Sequence, residues 1–77
     1  MKILFFGRLG ETIGREIDFE LPAGGCTVAE LRAALAERHG GLAAASVRAC
    51  IDHEIAPETA LVLPSHEVAF IPPLSGG

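Results

Sequence analysis

The chain has 77 residues, with ten acidic against six basic side chains and a net charge of −4 at pH 7. That length makes one domain, burying roughly 60% of its unfolded surface, and 49% apolar with 21% charged residues excludes a disordered chain. One lysine and five scattered arginines form no basic cluster, which excludes nucleic acid as a partner, and no apolar run nears the roughly 20 residues that span a bilayer.

After Lys2 the apolar stretch is only Ile3–Phe6, and no small-residue cleavage site follows, so no signal peptide and a cytoplasmic location are expected. "KILFF" itself reads as a strand buried on both sides. "GRLGETIG", with glycines at 7, 10 and 14, reads as a turn or a single helical turn. In "REIDFEL", Ile17, Phe19 and Leu21 alternate with Glu16, Asp18 and Glu20, the pattern of a half-exposed antiparallel strand that forms a long-looped hairpin with the first. "PAGG" at 22–25 breaks it.

"TVAELRAALAERHGG" carries the clearest local signal. Thr27 with Glu30 three residues on is a capping box, and Cys26 with Leu31 a hydrophobic staple. Val28, Leu31, Ala34, Leu35 and Arg38 make a stripe on a helix of about three turns, with Gly40 as the expected C-cap. "SVRACID" alternates again, Val47, Ala49 and Ile51 against Arg48, Cys50 and Asp52. "HEIAPETALVLPSHE" is broken by Pro57 and Pro64, leaving a short strand or turn around 54–55 and a loop; "EVAFIP" is the last strand.

One main helix and four to five strands in this order give an α+β fold, a β-grasp, with a mixed sheet packed on the helix and the first and last strands parallel at its centre. Strand parity places Ile3 and Phe5 on one face and Leu4 and Phe6 on the other, with Val68 and Phe70 against Ala69 and Ile71 in the last strand. Both faces are apolar, and one helix covers one of them. The other is covered by the 54–66 loop or by a partner protein.

Residues 1–71 form the domain, and 72–77 read as an extended tail. Pro72 and Pro73 stiffen it and end sheet pairing, and six residues reach at most about 20 Å. Leu74 and Ser75 lead to Gly76 and Gly77, which lack a Cβ and pass a narrow channel. A terminal carboxylate is an anion at neutral pH and a poor acyl donor. Adenylation gives it a leaving group, after which sulfide would yield a thiocarboxylate and a lysine or cysteine a protein tag. No other site competes. His39, His53 and His66 lack metal-ligand spacing and lie near turns as surface residues, Cys26 and Cys50 fit small buried hydrophobes with a sulfur relay as the lesser alternative, and no bound metal or cofactor is expected.

"KILFFGRLGETIG", "TVAELRAALAERH" and "EVAFIPPLSGG" together resemble the small, sulfur-carrier subunit of molybdopterin synthase over essentially the whole chain. The thiazole-forming sulfur carrier shares the fold and the Gly-Gly but usually lacks the diproline and the insert after strand 1. The resemblance implies a ubiquitin-like β-grasp, not catalytic alone, whose Gly77 is adenylated by an ATP-dependent activating enzyme and receives sulfur from a persulfide donor. It implies that the tail, Pro72 to Gly77, enters the large synthase subunit in a heterotetramer and gives its sulfur to cyclic pyranopterin monophosphate. The family's partner-binding patch falls on Phe6, Ile55 and Ile71. Asp52, often asparagine there, and "PSHE", often an acidic-glycine turn, depart from the family pattern. Rival readings are another ubiquitin-like protein, either a thiazole-type carrier or a modifier conjugated through Gly77, and a binding module with an inert terminus.

Overall fold

A computed structural model of the protein describes residues 1–44 and 46–73. Strand β1 (Lys2–Phe5) leads into a six-residue helix, α1 (Arg8–Ile13), and β2 (Glu16–Asp18) returns antiparallel beside β1. The "GRLGETIG" segment thus takes the helical of its two expected forms, extended to a six-residue helix. Backbone pairing runs past β2, since the Met1 ammonium donates to the Phe19 carbonyl at 2.9 Å and the Phe19 N–H to that of Met1 at 2.8 Å.

Next come β3 (Cys26–Thr27), the main helix α2 (Val28–Ala36), a 3-10 turn at Gly40–Ala43, β4 (Arg48–Ile51), β5 (Glu54–Ala56), β6 (Leu61–Val62) and β7 (Val68–Ile71). The Thr27–Glu30 capping box is present, with the Glu30 N–H donating to Thr27 Oγ1 at 3.1 Å and the Thr27 N–H to Glu30 Oε1 at 2.8 Å. The helix is shorter than its stripe. Glu37 is the C-cap, His39 leaves helical geometry at φ −133°, and Gly40 opens the 3-10 turn instead of capping. Leu42 explains this: it is fully buried, and bringing it under the core requires the chain to bend before it.

The main sheet has the order β2-β1-β7-β4-β5, with β1 and β7 parallel at its centre and every other pair antiparallel. This is the β-grasp expected from element order. A second, two-stranded sheet pairs β3 with β6, neither of which the sequence reading separated as a strand. The pairing carries the 57–63 segment to the helix side, where the Val28 N–H donates to the Ala60 carbonyl and Val62 is fully buried. Ile3, Phe5, Val68 and Phe70 fill the core between sheet and helix with Leu31 and Leu35, and the Phe5 and Phe70 rings stack at 5.9 Å.

The opposite face of the sheet is therefore not covered by the 54–66 loop. "KILFF" is buried on one side only, for Leu4 is half-buried and Phe6 is 50% exposed. On that face Phe6 and Ile55 stand 50% and 63% exposed around the small buried side chains of Cys50 and Ala69.

Candidate functional site

Register defines the open face row by row. Leu4 pairs with Glu16 and Ala69, Ala69 with Cys50, and Cys50 with Ile55, so these five side chains cross the sheet from edge to edge. One step toward the end of β7 lie Phe6, Ile71 and Arg48, the last two paired across the strands. The three patch residues expected from the resemblance share this face. Phe6 and Ile71 adjoin and line one groove with Pro72 and Pro73, whereas Ile55, 63% exposed, stands on the edge strand with Cys50 and Ala69 between. Those two small buried residues, with Leu4, form a floor that strand parity alone could have named and the resemblance did not.

The route of the chain out of the sheet is set by packing against the turn after β1. Gly7 adopts φ +56°, and a Cβ built there would lie 2.9 Å from Pro72 Cγ. A side chain at position 7 would displace the proline, so the missing Cβ lets Pro72 rest on the turn beside Phe6. Leu74, Ser75, Gly76 and Gly77, assigned above to the tail, lie outside the described residues.

Neither cysteine forms a disulfide, and both are buried. Burial, with the Glu30 charge adding to it, pushes the Cys26 thiol above its ordinary range, which keeps it protonated and unreactive at neutral pH. His53 Nε2 lies 3.2 Å from Glu67 Oε2 on the surface. His66 is half-buried rather than fully exposed, its Nδ1 accepting the Leu63 N–H at 2.9 Å, and His39 is half-buried at the bend after α2. Among the described residues no three His, Cys, Asp or Glu side chains group as a metal site, and no helix is long and apolar enough to cross a membrane.

What the described residues of this face offer is apolar contact area beside the exit of the chain. A sheet curled on one helix, with an apolar face and a proline-stiffened exit beside it, makes this a small ubiquitin-like β-grasp domain. The family model of the ThiS family matches residues 3–77, and the chain belongs to that family of ubiquitin-like sulfur carriers. The crystal structure of SAMP1 from Haloferax volcanii is similar at a TM-score of 0.71 and 24% identity, with 99% of this chain and 97% of that one covered. A crystal structure of H. volcanii small archaeal modifier protein 1 is similar at 0.70 and 21%, with 95% of each chain covered. At these identities the likeness is one of fold. No curated protein matches the chain.

Proposed function

We propose that this chain is the sulfur carrier of molybdenum-cofactor synthesis, a domain of residues 1–71 that presents the tail 72–77 to partner enzymes in the cytoplasm. With Gly77 as the chain terminus, its carboxylate oxygen attacks the α-phosphorus of ATP on an activating enzyme and pyrophosphate leaves. The terminal sulfur of a persulfide donor then displaces AMP, and thiol reduction of the resulting S–S bond frees the thiocarboxylate. On the large subunit of molybdopterin synthase, which supplies the catalytic side chains, that sulfur passes to cyclic pyranopterin monophosphate, and two transfers complete the dithiolene.

The observation that carries the reading is the continuity of the open apolar face with the exit of the chain. Phe6 and Ile71 line the groove that Pro72 and Pro73 enter, so a partner seated on the face receives the tail. Helix α1 supplies the insert after β1 that the thiazole-type carriers usually lack, and the diproline favours the same branch. A second reading, conjugation to lysines of other proteins through Gly77, is favoured by the fold shared with a protein named as a modifier.

Intact mass after incubation with ATP, the activating enzyme and a sulfur donor separates the possibilities. A gain equal to one oxygen replaced by sulfur is expected, abolished by deleting Gly77. The charged protein, mixed with the large subunit and cyclic pyranopterin monophosphate, should yield molybdopterin. Isopeptide adducts without that product would move the function to the modifier.

A further inference from the structure

The open face is graded in charge along its strands. At the end from which the chain leaves, Phe6, Ile71 and Pro72 are joined by two cations, Arg8 and Arg48, and one carboxylate, Glu11, so this end is net positive. At the other end Lys2 pairs with Asp18, and Glu67 lies beside the turn that joins β4 to β5. Asp52 in that turn accepts the Glu67 N–H at 2.8 Å through Oδ1 and returns its own N–H to the Glu67 carbonyl at 2.8 Å. Of the two ammonium groups at this end, Lys2 already reaches Glu16 Oε2 at 3.3 Å and that of Met1 is held by the Phe19 carbonyl at 2.9 Å. Three exposed carboxylates, Asp18, Asp52 and Glu67, therefore dominate the end distant from the tail.

Between the two ends lies a hollow of about 190 Å³, floored by Ala69 and Cys50, with Phe6 and Ile71 on one wall and Glu67 and His53 on the other. An apolar floor with a carboxylate at one wall suits a side chain with a methylene stem and a cationic head.

We infer that the partner of this face is a protein surface that is apolar opposite Phe6 and Ile71 and carries lysine or arginine opposite Asp18, Asp52 and Glu67. One cationic side chain crosses Ala69 and Cys50 to reach Glu67. The inference rests on the open face being the docking face of the proposed function. Its consequence is orientation. An approach with the tail reversed sets the basic end of the partner against the net positive end that holds Arg8 and Arg48 and loses the attraction, so the gradient brings the tail to the partner's active site in the encounter itself.

The test is the association of the whole protein with its ATP-dependent activating enzyme, a partner common to the sulfur-carrier and modifier readings, followed by stopped flow at low and high salt. The variant Asp18→Asn/Asp52→Asn/Glu67→Gln removes three charges and keeps the shape. Asn tolerates the φ of +50° at position 52, and its amide oxygen still accepts the Glu67 N–H. The variant should associate about tenfold more slowly at low salt, match the wild type at high salt, and change its dissociation rate less than about twofold. Arg48→Gln should not slow association. Equal association rates for the triple variant and the wild type at low salt, or a wild-type rate indifferent to salt, would overturn the inference. Phe6→Ser separates the two levels. If it abolishes binding while the triple variant is unaffected, the face docks but its charges do not steer; if it binds as the wild type, or if the wild type does not bind, the docking reading falls and the inference with it.

Discussion

Among the described residues Arg32 is the one charged residue in the core, 8% exposed, and its guanidinium makes four hydrogen bonds. Nε and Nη2 donate to the two carboxylate oxygens of Glu58 at 2.9 Å each, Nη1 donates to the carbonyls of Leu42 at 2.8 Å and Ala44 at 3.2 Å, and Cζ lies 5.6 Å from the centroid of the Phe70 ring. One side chain thus ties α2 to the 3-10 turn, to the segment before β6 and to β7. Arg32→Met should lower stability by about 2–3 kcal/mol, because it leaves the Leu42 and Ala44 carbonyls without their donor while the half-exposed Glu58 carboxylate turns to water, and Arg32→Lys should recover only part, lacking the fork; chemical denaturation measures both. The hydrogen bond from Arg32 holds the Glu58 carboxyl below its ordinary 4.5, charge attraction adding to it and desolvation opposing it. A lowered folded value means stability present above the unfolded value and lost as pH falls through the folded one. The excess melting temperature of the wild type over Glu58→Gln should therefore shrink on acidification past the carboxylate range, and modestly, because the Glu58 side chain is half exposed. In the sequence, Arg32 stands four residues after Val28 and one after Leu31, inside the apolar stripe, which marks it as a residue in need of a partner. That partner, 26 positions on, leaves no trace in local spacing.

Among the elements, those with strong local causes were legible and those made by tertiary contact were not. The capping box specified the start of α2, and Thr27→Ala should cost about 1 kcal/mol by losing the Oγ1 acceptor. Alternation marked β2 and β4, because each has one face in the core. The two-residue strands β3 and β6 have no period to show: Cys26 and Thr27 were already explained as staple and cap, and Leu61 and Val62 lie between prolines. Their signal was in the turn. Gly24 and Gly25 both adopt φ +84°, and a Cβ on Gly25 would fall 2.2 Å from the Val62 carbonyl oxygen. That distance leaves no room for any side chain while β3 remains against β6. Gly25→Ala should accordingly lose at least about 2 kcal/mol through strain and separation of the pair, whereas Gly24→Ala, with open space around it, should lose only the cost of its φ. Comparing the two melts isolates the contact from the dihedral.

For the molecule as a whole, a single helix against a sheet with two apolar faces leaves one face for another protein. Parity in the sequence grouped Phe6 with Ile71, but which face the helix would take depended on the handed crossover from β2 through α2 to β4, which no periodicity encodes. The division predicts opposite behaviour for similar side chains. Phe70 is fully buried, and Phe70→Ala should cost about 3–5 kcal/mol. Ile55 is 63% exposed on the edge strand, so Ile55→Ser removes little buried area and should leave the denaturation midpoint nearly unchanged, within about 0.5 kcal/mol. Its effect belongs to the complex, where burying an isoleucine is worth about 1.5–3 kcal/mol, and affinity for the activating enzyme should fall by roughly tenfold to a hundredfold. Measured together, a stable Ile55→Ser that still binds at full strength would confine docking to the Phe6 and Ile71 end, and an unstable one would mean that Ile55 supports the fold instead. An intact fold with weakened binding is the outcome that a free carrier with one face held open requires.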